Sequence, residues 1–226
     1  METFEIISAQ KEQDGSIILV IANQETGEHE LRRFADIRMG IHWPSSLSPA
    51  CFVIVSQEYT GTPKYGDANP PVGSREIIAE YISETLGMNE FYRQIVVFVK
   101  KSLCRRLYAV LPEDPYQCGY FQDLQKYARN AECNIHINSV SEGDDFFLGI
   151  SRIKDSTDSG WLSIPTASAV YDQLNSITRE DLQDNPQERF YLIDALGHVL
   201  DGYYRCPPRN YPLITKRRPP PNWRYH

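Results

Sequence analysis

Carboxylates stand at two places in this chain where a fold could bring them together. Glu113 and Asp114 follow the apolar run Tyr108–Leu111, which reads as a buried strand, and precede Pro115, which suits the first position of a helix. Asp194 stands much later, inside the amphipathic stretch Leu192-Ile-Asp-Ala-Leu196. Acids at the end of a central strand, answered by one on a distant helix, form the oxygen-rich set that gathers a divalent cation over a sheet edge and uses it for hydrolysis. A plainer role competes at the first place, because Asp114 also serves as a helix N-cap. The adjoining helix N-terminus would add partial positive charge suited to a phosphate.

On the last helical stretch Leu192, Ala195, Leu196, Val199 and Tyr203 share one face. Asp194, His198 and Asp201 recur at i, i+4 and i+7 on the other. That stripe reads either as the solvated side of an amphipathic helix or as a cluster of metal-binding and proton-transferring groups, with His198 able to titrate near neutral pH. His42 ends the apolar segment Met39-Gly-Ile-His-Trp43, where a site over the sheet would place its first carboxylate. Imidazole ligates transition metals but suits magnesium poorly. Asp36 is about 20 Å away along the same strand, too far to share that ion. Ser45, Ser46 and Ser48 lack a GxSxG context, which argues against a serine hydrolase, and no GxxxxGK[ST] loop is present.

The elements that must position these groups follow from periodicity and turn residues. Phe4–Gln10, Ser16–Ala22 and Glu28–Phe34 read as a β-meander turned at Asp14-Gly15 and Thr26-Gly27. Asp36–Trp43 and Cys51–Tyr59 read as two further strands, the second central because Cys51–Val55 is apolar on both faces. Thr60–Gly73 reads as a loop. Residues 74–86 show helical spacing behind Ser74, and Ile95–Val99 and Leu107–Leu111 look like strands. A helix runs through Phe121, Leu124 and Ala128, and Ile135–Val140 is a strand. Residues 143–159 read as polar and mobile, Trp161–Pro165 as a short extended piece, and Ala169–Ile177 as a helix. The last helix starts at Asn185-Pro186 with Glu188 in capping-box position and ends near Arg205, before Pro207-Pro208.

The 226 residues carry 41% apolar and 23% charged side chains, enough for a substantial core. The five cysteines form no CxxC pair, which fits a reducing compartment and neither a disulfide framework nor a zinc site. No segment approaches the roughly 20 apolar residues that span a bilayer, and no signal-peptide pattern opens the chain, so a cytoplasmic location and no membrane partner are expected. The net charge of -7 argues against coating nucleic acid by bulk electrostatics. Yet no acid follows Asp201, while Arg205, Arg209, Lys216, Arg217, Arg218 and Arg224 do. That tail reads either as a phosphate-binding segment or as a solubilising end.

The ordered pieces Gly40-Ile-His42-Trp43, Leu111-Pro-Glu113-Asp114-Pro-Tyr-Gln-Cys-Gly119, Arg152-Ile153, Gly160-Trp-Leu-Ser-Ile164 and Leu192-Ile-Asp194-Ala-Leu196 together resemble the C-terminal nuclease domain of phage terminase large subunits. The resemblance implies an α/β, ribonuclease H-like mixed sheet flanked by helices over residues 36–206. Residues 1–35 would be a β-meander appendage and 207–226 a basic, proline-rich tail. It also implies a viral DNA-packaging endonuclease that hydrolyses double-stranded DNA with Mg²⁺ or Mn²⁺, beside a separate ATPase motor or packaging subunit in a host cytoplasm. On that basis Asp114, Asp194, Glu113 and His198 are the candidate catalytic residues, and Asp114, Asp194 and His42 the candidate metal ligands. Arg152, Lys216, Arg217 and Arg218 would contact nucleic acid. His42 stands where the family usually has aspartate. The rival expectation is a degenerate ribonuclease H-like domain that docks nucleic acid or protein.

Overall fold

The computed structural model describes residues 4–23, 27–60, 73–83, 87–110, 118–140, 146–178 and 189–205. In chain order these form β1 (Phe4–Lys11), β2 (Ile17–Asn23), β3 (His29–His42), β4 (Cys51–Glu58), β5 (Arg75–Ile82), α1 (Met88–Ser102), β6 (Arg106–Val110), α2 (Cys118–Asn130), β7 (His136–Val140), α3 (Phe146–Asp158), β8 (Leu162–Ser163), α4 (Ala169–Ser176) and α5 (Tyr191–Arg205). One mixed sheet holds all the strands. β1 to β5 pair antiparallel in succession, while β6 lies parallel to β3, β7 parallel to β6 and β8 parallel to β5. Helices cover both faces, so the mixed α/β sheet flanked by helices is as expected.

β3 is the axis of the sheet. Its first half pairs with β2, its second half with β6, and β4 lies along its other edge. The two strands expected over 28–34 and 36–43 are therefore one, with a bulge at Ala35 where the register against β4 shifts. A bulge absorbs one extra residue and adds twist without ending the strand.

The period of two along β3 and β4 sorts their side chains into two cores. Ile37, Met39 and Ile41 of β3, with Phe52 and Ile54 of β4, pack under α1 and α2 beside Phe91, Ile95, Val99 and Leu124. Cys51, Val53 and Val55 face the opposite way, against α5 and its neighbours α3 and α4.

Three elements differ from the sequence expectation. Residues 75–82, read as helix, form β5, because the open edge of β4 pairs with them along their length. Their short apolar run fits either period, and the sheet edge decides. Ile95–Val99, read as strand, lies inside α1, whose buried residues Phe91, Tyr92, Ile95, Val96 and Val99 recur at helical spacing. The β-branched run masked that longer pattern. Residues 146–158, read as mobile, form α3, which sets Ile150, Ile153 and Ser156 in a narrow buried stripe.

The β3 row that faces α5 reads Arg38, Gly40, His42, and α5 lies directly on it. A Cβ added at Gly40 would fall on the Ala195 carbonyl oxygen and within 3.1 Å of the Val199 nitrogen. Only glycine permits that approach. At one end of the contact the fully buried Arg38 guanidinium donates to the Gly202 carbonyl, to Tyr108 Oη at 3.2 Å and to Asp36 at 2.7 Å. Gly40→Ala should therefore lower stability by about 3 kcal/mol, on the order of 10 °C in Tm. Gly119→Ala, where nothing lies within 4 Å, should leave Tm level or slightly higher. Thermal melts followed by circular dichroism check both.

Candidate functional site

At the other end of the same contact, the close approach of α5 to β3 sets Asp194 beside His42. Asp194 lies in the first turn of α5 and His42 is the last residue of β3. His42 Nδ1 is 2.8 Å from Asp194 Oδ2, and its Nε2 is 2.9 Å from Ser48 Oγ. One helical turn on, His198 Nδ1 donates to the Ile41 carbonyl at 2.9 Å, which turns its Nε2 towards Asp194 Oδ1 at 3.5 Å. Each carboxylate oxygen thus faces an imidazole nitrogen, and all three side chains are largely shielded from solvent.

The polar stripe of α5 is accordingly not a solvated face. His198 and Asp201 are buried along with Leu192, Ile193, Ala195, Leu196, Val199 and Leu200. Asp201 accepts from Arg152 Nη1 at 3.1 Å, so the guanidinium expected to meet nucleic acid ties α3 to α5. Asp36 pairs with Arg38 and, at 3.5 Å, with Arg106, apart from this centre. Glu113, Asp114, Lys216, Arg217 and Arg218 lie outside the described residues. The last described residue before the expected acid pair is Val110, the end of β6, whose carbonyl accepts from Trp43 Nε1 at 3.2 Å.

Sequence reasoning missed Ser48 as a partner of His42. Ser45 accepts the Leu47 and Ser48 amides on its Oγ, at 3.0 and 3.1 Å, and the Ser45 amide donates back to the Ser48 carbonyl. The spacing of serine, serine and proline after His42 signals such a turn. It does not reveal that the turn folds back onto the imidazole.

Burial alone would raise the Asp194 carboxyl. The charge on His198, with the hydrogen bond and charge of His42, outweighs that and holds it below its ordinary 3.8. Burial and the Asp194 charge push the Cys51 thiol well up, and Cys51 Sγ donates to the Tyr191 carbonyl at 3.3 Å, which makes it an inert packing group.

Magnesium asks for several oxygen ligands with room for water. The described centre offers one carboxylate between two imidazoles, and both nitrogens of His42 already have partners. No group of three or more metal-ligating side chains is arranged around a common point among the described residues. This donor set does not fit magnesium.

No protein-family model matches the sequence, and no curated protein matches it. Solved structures do match in backbone course. The manganese-soaked, inhibitor-bound terminase nuclease domain of human cytomegalovirus shares 8% identity at a TM-score of 0.48, over 76% of this chain and 83% of that one. The large terminase nuclease of the thermophilic phage G20c, with bound magnesium, gives 7% identity and a TM-score of 0.49 over 86% and 91% of the two chains. A yeast mitochondrial Holliday junction resolvase gives 10% and 0.37 over 76% and 84%. At such identities residue roles do not transfer from chain to chain and have to be read from this one. Among the described residues no helix is long and apolar enough to cross a membrane.

A carboxyl held below its unfolded value stabilises the fold above that unfolded value, and the contribution is lost as pH falls through the folded one. Stability owed to Asp194 should be intact above about pH 4 and drain away below it. In acid melts Asp194→Asn should show a shallower fall of Tm than wild type from about pH 4 downward. Equal slopes would mean that the carboxylate is not held by its imidazoles.

Proposed function

We propose that this chain is a ribonuclease H-like domain whose acid centre is closed by imidazole, and that it docks double-stranded DNA rather than cutting it with magnesium. The observation that carries this reading is the His42–Asp194 pair. Where the resembling family has a carboxylate, this chain has a side chain that hydrogen-bonds the remaining acid at 2.8 Å and is held from behind by Ser48. A cation entering there would have to displace a made hydrogen bond and would meet nitrogen where magnesium favours oxygen. Phosphate contacts fall to the tail residues Lys216, Arg217 and Arg218, which position a duplex without reading its sequence. A packaging motor or another assembly subunit is the protein partner this reading calls for.

A second reading, a metal-dependent endonuclease, is favoured by His198. Its Nδ1–H is fixed on a backbone carbonyl, so its other nitrogen points at the carboxylate, as in imidazoles that ligate metals. Glu113 or Asp114 would have to complete that set. When bound, the metal would activate water and stabilise the leaving oxygen. Manganese suits a mixed nitrogen and oxygen set better than magnesium does.

Supercoiled plasmid incubated with the protein in Mg²⁺, Mn²⁺ or EDTA decides between them, run beside Asp194→Ala and His42→Asp. The docking reading expects no nicking by wild type and a salt-sensitive gel shift that is lost when Lys216, Arg217 and Arg218 become alanine. It also expects cleavage, if any, to appear only in His42→Asp. Metal-dependent nicking by wild type that vanishes in Asp194→Ala would overturn docking and establish the nuclease.

A further inference from the structure

The hydrogen bonds behind His42 run in one direction. Ser45 Oγ accepts two backbone amides, so its own proton turns to Ser48 Oγ at 3.0 Å. Ser48 then gives its proton to His42 Nε2 at 2.9 Å, which leaves the ring proton on Nδ1, facing Asp194 Oδ2 at 2.8 Å. Serine hydroxyl on Nε2 and carboxylate on Nδ1 of one imidazole is the arrangement that makes a serine nucleophilic. It is recognised by geometry and not by the local sequence around the serine. The missing GxSxG motif therefore does not count against it, since that motif belongs to one strand-to-helix elbow.

The geometry points to Ser48 as an activated nucleophile, with His42 as its general base and Asp194 as the positioning carboxylate, acting on activated esters of small uncharged acyl groups. Ser48 is 5% exposed, while its chain neighbours Ser46 and Leu47 are exposed, Leu47 by 75%. The Tyr191 ring stands 6.3 Å from the His42 ring. A largely shielded carboxylate beside the imidazole, with the Tyr191 ring near it, favours a neutral acyl group over an anion. Ser48 Oγ bonds to the carbonyl carbon as its proton passes to His42 Nε2, and Asp194 stabilises the imidazolium through Nδ1–H. Collapse of the tetrahedral adduct breaks the bond to the alkoxy oxygen, which leaves with the proton from His42. Water, deprotonated by His42, then releases the carboxylic acid and restores Ser48. An oxyanion donor is worth about 10²- to 10³-fold in such reactions. The relay supplies nucleophile and base only, so good leaving groups are its substrates.

The full chain, kept in EDTA, is treated with a small alkyl fluorophosphonate and the modified serines are located by peptide mass spectrometry. The expected adduct is on Ser48 and not on the exposed Ser46, with labelling at least about 100-fold slower in Asp194→Asn. p-Nitrophenyl acetate should release nitrophenolate in a burst that Ser48→Ala removes. No adduct on Ser48, equal modification of Ser46, or an Asp194→Asn rate equal to wild type in folded protein would each overturn the proposal. Because the experiment involves neither metal nor DNA, its failure leaves the docking reading untouched.

Discussion

At Gly40 the backbones of β3 and α5 come so close that even a methyl group would strike the Ala195 carbonyl. Everything at the centre follows from that contact. It fixes the height of α5 above the sheet, so Asp194 meets the last residue of β3 and the Ile41 carbonyl meets His198. It also leaves α5 buried nearly all round, between the sheet and its roof of α3 and α4. A bulkier residue at position 40 would lift the helix, and the carboxylate and imidazoles would separate together.

The second determinant is charge in a shielded place. A carboxylate removed from water needs compensation, and Asp194 finds it in His42 and His198. Arg38 solves the mirror problem at the far end of the contact, where Asp36, Tyr108 and the Gly202 carbonyl surround a guanidinium stacked over the Tyr203 ring at 4.1 Å. The α5-facing row of β3 thus holds a cation at one end, nothing in the middle and an imidazole at the other. The helix above answers with a carbonyl, a bare backbone and an acid.

Much of this was legible in the residues. The meander, the two-faced apolar strand Cys51–Val55, β7 and α4 all follow from period and turn chemistry, and Gly40, His42 and Asp194 stood out in the right order. The exchange of helix for strand at Arg75–Ile82 and of strand for helix at Ile95–Val99 shows where period fails. Short apolar runs fit both, and only an open sheet edge or a longer flank decides. The role of the α5 stripe could not be read at all. Asp194, His198 and Asp201 have the spacing of a wet helix face, and nothing local announces that the end of β3 will meet the first two and α3 the third. Ser48 was dismissed on a motif, whereas its meaning lies in a fold-back that brings Nε2 of His42 to its hydroxyl.

β3 carries one further consequence. It runs unbroken from His29, where it pairs with the meander, through the bulge at Ala35 to His42. A strand of that length spans roughly 45 Å and is stiff along its axis because every residue advances by about 3.3 Å. The meander and the imidazole are therefore two ends of one rod. A load applied at β1 or β2 reaches His42 as a lengthwise push or pull, with the bulge as the joint that decides how much of it becomes twist.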